Sequence, residues 1–279
     1  DMAQDYYERT LRARAFDISR YLLPLATNTS LGQIVNARTL ETQIARLLSH
    51  PNAEVRGMGE LLKRAALEPA HNVRAGELRR FLDELKSRDA DLGRRAEELL
   101  LREVRVAPTL VKYANPSAYE IETRKELRQV ATELMADTPI ALAAPVELLD
   151  NEPMEIELPT SLLYEHTHHP YRQIRDYVLA LSNSERREIV DLGLRHRGPH
   201  DELLRPFCAG QDFRFDILMD IGGYRDLHRH RRCIQLAQDF TTEHGYDTPE
   251  EIADAGLEPR YDAAMERAAQ ASAQVAASS

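Results

Sequence analysis

Cysteine is nearly absent from this sequence of 279 residues: Cys208 and Cys233 are its only two. Two thiols cannot staple a small secreted fold, and such sparse usage is typical of a reducing compartment, so a cytoplasmic location is the expectation. No uninterrupted apolar run approaches the about 18 residues that a membrane helix needs. The N-terminal Asp-Met-Ala-Gln-Asp also lacks the basic and apolar regions of a signal peptide. Positive charge is in deficit, with 36 basic against 46 acidic side chains and a net charge of −10. A surface of that sign repels a phosphate backbone, so no nucleic-acid partner is expected. Glycine-rich phosphate loops and nucleophile elbows are missing too, because Gly222-Gly223 has no spaced third glycine.

What the chain does have is helical patterning. Leu11, Ala15, Ile18 and Leu22 follow one helical stripe that Pro24 stops. Leu40, Ile44, Leu47 and Leu48 form a second stripe with Asn36 upstream as its N-cap, and Val55, Met58, Leu62 and Ala65 form a third. Leu78, Phe81, Leu82 and Leu85 begin a helical pair joined near Asp89 to Gly93. Pro108 and Pro116 then mark a boundary. Beyond it, Glu155-Ile156-Glu157-Leu158 and Arg214-Phe215-Asp216-Ile217 alternate as half-buried strands do. Leu162 to Leu181 and Ser184 to Leu194 read as helices, Ser184 as an N-cap; Gly222-Gly223 ends the second strand, and a helix from Arg225 carries the basic cluster.

The expected fold class is therefore α+β, helices packed around a twisted antiparallel sheet. Residues 1–106 form a helical block, 107–145 a connecting segment with a helix, 146–262 an α+β block, and 263–279 an Ala/Ser/Gln-rich tail expected to fray.

Two clusters invite chemistry. His166, His168 and His169 beside Glu165, with His196 and His200, have metal-ligating side chains, but His168-His169-Pro170 reads more simply as a polar, helix-breaking segment. In His228-Arg229-His230-Arg231-Arg232, three guanidiniums within four residues repel one another unless an anion or carboxylates compensate. The structural explanation pairs them with Asp220, Asp226 and Glu243; the functional one supplies an anionic ligand.

A family resemblance favours the ligand. Arg229-His230-Arg231 resembles the Arg-His-Arg motif of the flavin-dependent thymidylate synthases, Pro199-His200-Asp201-Glu202-Leu203-Leu204 their Gly-His-Glu-Ser segment, and Asp212 to Leu218 the strand that follows. Three downstream family segments also look present, as Ser19-Arg20-Tyr21-Leu22-Leu23-Pro24, Asn36-Ala37-Arg38-Thr39-Leu40 and Ala53-Glu54-Val55-Arg56. Here, however, they precede the Arg-His-Arg segment, with Ala107 to Tyr113 at the join. That order fits a circular permutation or a slice of a tandem duplication, and the start at Asp1 favours the slice.

The resemblance implies methylation of dUMP to dTMP using methylenetetrahydrofolate, FAD and NADPH in a homo-oligomer. Arg229, His230, Arg231, Asn36 and Arg38 would hold FAD, Arg20 would face the substrate, and Arg46 would act on the uracil ring as the catalytic arginine. Arginine suits these roles because its planar fork stays charged when desolvated. Four positions depart from the family: Asp239 stands in place of its serine, Thr241-Thr242 in place of an Arg-Tyr pair, and Pro206 in place of a second histidine. The interval from Arg38 to Arg46 is one residue short. The alternative is a noncatalytic flavin- or nucleotide-binding relative, or a partner subunit that has lost the substrate loop.

Overall fold

A computed structural model describes residues 4–25, 27–70 and 72–278; the N-terminal Asp1-Met2-Ala3 and the tail residue Ser279 lie outside the described residues. In chain order the elements are α1 (Gln4–Ser19), α2 (Ala37–Leu48), α3 (Ala53–Leu67), α4 (Ala75–Arg88), α5 (Ala90–Leu100), α6 (Pro108–Val111) and α7 (Ala118–Met135). There follow β1 (Val146–Leu149), α8 (Met154–Tyr164), α9 (Tyr171–Ala180), α10 (Asn183–Arg195), β2 (Arg214–Ile217), α11 (Ile221–Leu227), α12 (Glu250–Asp254) and α13 (Glu258–Ser278). The fold is α+β with a helical first block, as the sequence leads one to expect. Among the described residues, no helix is long and apolar enough to cross a membrane.

The chain divides into two compact units along lines other than the expected blocks. One unit takes the described residues up to Leu31, Glu126–Leu194 and those from Leu203 on; the other takes Gly32–Lys125 and Arg195–Glu202. The division at Lys125 falls inside α7.

The second unit is helical. Asn36 caps α2 by accepting from the Thr39 amide at 2.8 Å, Asn52 caps α3 through Glu54, and Asp89 caps α5 through Asp91 and Leu92. Its core is built from Ile44 and Leu48 of α2, Ala66 of α3, and Ala107, Val111 and Ala114 around α6.

In the first unit, Leu127 and Ala131 of α7 pack with Ile156, Leu162, Leu163, Ile174, Val178, Ile189 and Leu192 of α8, α9 and α10. The sheet has two antiparallel strands, with Val146 opposite Ile217 and Leu148 opposite Phe215. One face carries Arg214 and Asp216 towards the helices. Tyr164 donates to Asp216 Oδ1 and the Tyr171 amide to Oδ2, both at 2.7 Å.

Five local expectations are corrected. Residues 155–158 belong to α8, not to a strand: Ile156 and Leu163 are both buried at helical spacing, a longer periodicity that overrides the four-residue alternation. The helix read across Leu162 to Leu181 is two helices, broken where Pro170 begins α9. α10 is capped by Ser182 rather than Ser184, since Ser182 and Glu185 bond reciprocally. Gly222-Gly223 lies inside α11, and that helix stops at Leu227, leaving the basic cluster in the turns that follow. Finally, the expected frayed tail is the greater part of α13, because an alanine-rich sequence needs little burial to favour helix.

Two glycines of α3 test its packing. A Cβ on Gly59 would stand 3.0 Å from the Leu47 Cβ and 3.1 Å from the Leu48 backbone nitrogen, whereas Gly57 has nothing within 4 Å. Gly57→Ala should therefore gain about 0.5–1 kcal/mol of helix stability, and Gly59→Ala should lose about 1–3 kcal/mol to overpacking. Urea unfolding followed by circular dichroism checks this; equal midpoints for the two variants would disprove the close α2–α3 contact.

Candidate functional site

The sequence-expected residues fall in two places, one in each unit. In the second unit, Arg38, Thr42 and Arg46 recur at four-residue spacing along α2 and therefore share a face. With Gln33, Gln43 and His50 they line an open cavity of about 490 Å³. The size suits a small organic ligand. Gln43 Nε2 donates to Gln33 Oε1 at 3.1 Å, while the buried Gln43 Oε1 has no hydrogen-bond partner among the described residues. Arg46 lies 3.8 Å from Glu202, both side chains exposed, so screening by water leaves its charge available.

Asn36 and Arg56 have structural work in the same region. The Asn36 carbonyl oxygen is committed to capping α2, leaving only its NH₂ for a ligand. Arg56 donates to the carbonyls of His50 and Pro51 and so fixes the loop at the end of the groove.

In the first unit, Arg20 opens a single 3₁₀ turn, Arg20–Leu22, which ends before Pro24. Its guanidinium lies 3.2 Å from Asp17. Burial, and then the negative charge of Asp220, push the neighbouring Tyr21 phenol pKa up. Asp220 in turn caps α11 through the Gly223 amide at 2.9 Å.

Arg229-His230-Arg231 occupies the turn after α11. Gln235 closes it by donating to the carbonyls of Leu227 and His230, while its own oxygen meets His228 Nδ1 at 2.8 Å. Arg229 lies 3.4 Å from Asp226. Among the described residues, no carboxylate pairs with Arg231 or Arg232, and Asp220 caps α11 through Gly223 instead. The guanidinium repulsion read from the sequence is thus only partly answered by neighbouring carboxylates.

The departures from the family pattern are also placed. The Asp239 carboxylate accepts from Arg128 at 2.6 Å, and Pro206 is buried in a 3₁₀ turn whose Phe207 packs on the core of the first unit. His169 is buried and structural. Its Nε2 faces the Thr138 carbonyl at 2.9 Å and must donate, so Nδ1 accepts from the Thr167 hydroxyl at 2.7 Å. Among the described residues, no three His, Cys, Asp or Glu side chains are grouped to hold a metal.

Sequence reading overlooked Gln33, Thr42 and Gln43 in the groove, although the spacing of Thr42 from Arg38 and Arg46 was a usable signal. The pairing of Arg128 with Asp239 had none, because it spans a long stretch of chain.

The chain is similar to three curated relatives, each described only as a UPF0159 protein. That of Chlamydia pneumoniae is 27% identical over 277 residues, covering 94% of this chain and 44% of the relative. That of Chlamydia muridarum is 26% identical over 292 residues, covering 99% and 47%, and that of Thermoplasma acidophilum 24% over 259 residues, covering 90% and 43%. The chain thus spans less than half the length of the relatives it matches. No family model and no solved structure matches it.

Capping makes a separable prediction for Asn36. Asn36→Ala should cost about 1 kcal/mol and loosen the turn that presents Arg38, whereas Asn36→Asp should hold stability near that of the parent chain. Denaturant midpoints decide it: an Ala variant as stable as the Asp variant would remove the capping role.

Proposed function

We propose that this chain is a divergent relative of the flavin-dependent thymidylate synthases, of the tandem kind, acting in the methylation of dUMP to dTMP. The observation that carries the reading is the Arg229-His230-Arg231 turn, braced by Gln235, with Arg231 and Arg232 free of carboxylate partners among the described residues. Two uncompensated guanidiniums on a braced turn suit an anionic ligand better than a structural ion-pair cluster.

On this reading Arg229, His230, Arg231, Asn36 and Arg38 contribute to holding FAD, Arg20 faces dUMP, and Arg46 is the catalytic arginine at the uracil ring. The donor chemistry fits, since Arg231 offers a charged fork, the Asn36 NH₂ stays available beyond its cap, and Arg38 and Arg46 line one groove. The flavin, when bound, supplies redox chemistry, carrying reducing equivalents from NADPH while methylenetetrahydrofolate provides the one-carbon unit. The protein residues bind and orient. The reading requires no cysteine nucleophile, which suits a sequence with only two cysteines, and it includes a cytoplasmic location. Homo-oligomeric assembly and the absence of a nucleic-acid partner belong to the same proposal. The tandem form is supported by the curated relatives, whose matched stretches leave more than half of each for further units.

A second reading rests on Asp239. A carboxylate at the family's serine position, already engaged by Arg128, favours a noncatalytic flavin- or nucleotide-binding relative, or a partner subunit without the substrate loop.

Purified protein should be yellow or take up FAD with a flavin absorption spectrum; a colourless chain that FAD cannot reconstitute overturns both readings. Release of tritium from labelled dUMP separates them, with bound FAD and no release selecting the noncatalytic form. Arg231→Ala should weaken FAD binding at least about tenfold, roughly the loss of one charge-assisted contact. Arg195→Ala, in the similar Arg195-His196-Arg197 tripeptide, should change it little, and equal losses would show that the wrong tripeptide was chosen.

A further inference from the structure

We infer that the outer face of the two-stranded sheet, lined by Val146, Leu148, Phe215 and Ile217, is the surface through which this chain pairs with a second copy of itself. The face lies wholly within the first unit. It gives the homo-oligomeric assembly of the proposed function a place on the molecule, and the choice of a second copy rests in part on that reading.

The sheet is inside out. Pairing places Val146 opposite Ile217 and Leu148 opposite Phe215, so these four side chains share one face, while Glu147, Leu149, Arg214 and Asp216 share the other. The charged face is the one turned to the helices. Arg172 of α9 donates to Glu147 at 2.7 Å, Tyr164 of α8 donates to Asp216 at 2.7 Å, and Arg214 lies 3.5 Å from the buried Glu157. Those bonds fix which way the sheet faces, because turning its apolar side to the helices would strand the Arg214 and Glu157 charges. The apolar side is left outward, with Val146 60%, Leu148 56% and Phe215 55% exposed, and Phe213 continues the stripe at 77%.

A sheet ordinarily buries its apolar face against another layer, and a contiguous apolar patch left exposed marks an interaction site. Two aromatic rings, a leucine, a valine and the exposed part of Ile217 offer roughly 400 Å² of apolar surface. Apolar atoms form about 65% of a homodimer interface, so such a patch corresponds to roughly 600 Å² per copy and roughly 1,200 Å² for the pair. That reaches the lower end of what a specific, stable interface buries. An uncharged face also suits a copy of the same chain. Two molecules of charge −10 repel where their charged surfaces meet, and none of these five side chains adds to that repulsion. Two such sheets would stack about 10 Å apart with their side chains interleaved.

Sedimentation equilibrium of the full chain over a series of concentrations tests the pairing. The wild type should self-associate, and Phe213→Asp or Phe215→Glu should bring it to half the wild-type mass, weakening association at least about tenfold for the loss of one buried aromatic contact. Leu99→Glu, which replaces an exposed apolar side chain on α5 of the second unit, should leave association unchanged. Circular dichroism keeps folding apart from pairing, and Phe213 stands before β2, so its replacement spares the strand ladder. Amide exchange reads the same face without any substitution: residues 146–149 and 213–217 of the wild type should exchange more slowly as concentration rises.

A wild type that stays monomeric across the series overturns the pairing and leaves the face to a unit outside this chain. Folded Phe213→Asp and Phe215→Glu variants of wild-type mass also overturn it, as does exchange independent of concentration in an associating wild type, because the contact then lies elsewhere. Equal dissociation of Leu99→Glu overturns it by showing unspecific association. FAD uptake by the same samples keeps the proposed function separate: a chain that pairs but takes no FAD overturns that function alone, and a monomer that takes FAD overturns the pairing alone.

Discussion

The guanidinium of Arg214 is the constraint around which the first unit is arranged. It sits on β2, with its side chain 12% exposed, 3.5 Å from a Glu157 carboxylate that is itself 5% exposed on α8. Its second partner is the Tyr171 hydroxyl of α9 at 2.8 Å, and its third the Asp150 carbonyl just after β1. The Gly210 amide completes the set by donating to Glu157 at 2.9 Å. A two-stranded sheet has too little hydrophobic surface to stand alone. Here it is docked through its polar face, while Phe215, on the opposite face, remains 55% exposed. Such a buried pair is weak evidence of net stabilisation against an apolar substitute, yet removing either partner strands a charge at a cost of about 3–5 kcal/mol. It specifies the register, because a slip of one residue would carry Arg214 to the other face.

That inversion shows where the sequence is legible and where it is not. Alternation over Arg214 to Ile217 correctly announces a strand, but it does not say which face turns inward, since that depends on Glu157 and Tyr171, far away in the chain. The same four-residue alternation at Glu155 to Leu158 is the edge of a helix, because short patterns of period two are compatible with both. Longer stripes fare better. The repeats on α2 and α3 come with Asn36 and Asn52 as caps, so two independent local signals agree and the helices are readable without the fold. β1 had no signal of its own: Val146 to Leu149 is four residues, paired only because β2 lies beside it.

The candidate site follows the same division. Arg38 and Arg46, named from the family resemblance, fall within one broad stripe of α2, because each four-residue step through Thr42 advances only about 40° round the helix. The Arg-His-Arg cluster can be recognised in the sequence, but its electrostatic state cannot. Acidic residues near in sequence, Asp220 and Asp226, look equally able to neutralise it, and only the structure assigns Asp220 to the Gly223 amide and leaves Asp226 to Arg229. Net charge was no guide at all: a chain of −10 still presents a turn with two arginines lacking carboxylate partners among the described residues.

On the proposed reading, Asp239 is the departure that would weigh most on nucleotide binding, and magnitudes bound its effect. A carboxylate facing a phosphate at contact distance repels it by about 1 kcal/mol in water and about 4 kcal/mol near a protein surface. Asp239 does not act alone, because Arg128 lies 2.6 Å away and removes much of its negative field. The pair is solvent-exposed, and exposed pairs contribute only about 0.2–1 kcal/mol to stability. Arg128 can therefore turn from Asp239 to an incoming phosphate at small cost, or stay and shield it. In either arrangement, on the proposed reading, the repulsion that a nucleotide phosphate would meet stays within those few kcal/mol. On that reading Asp239 bears on how tightly a nucleotide would be held, and the whole set of changes, including Pro206 and Thr241-Thr242, on whether turnover would survive.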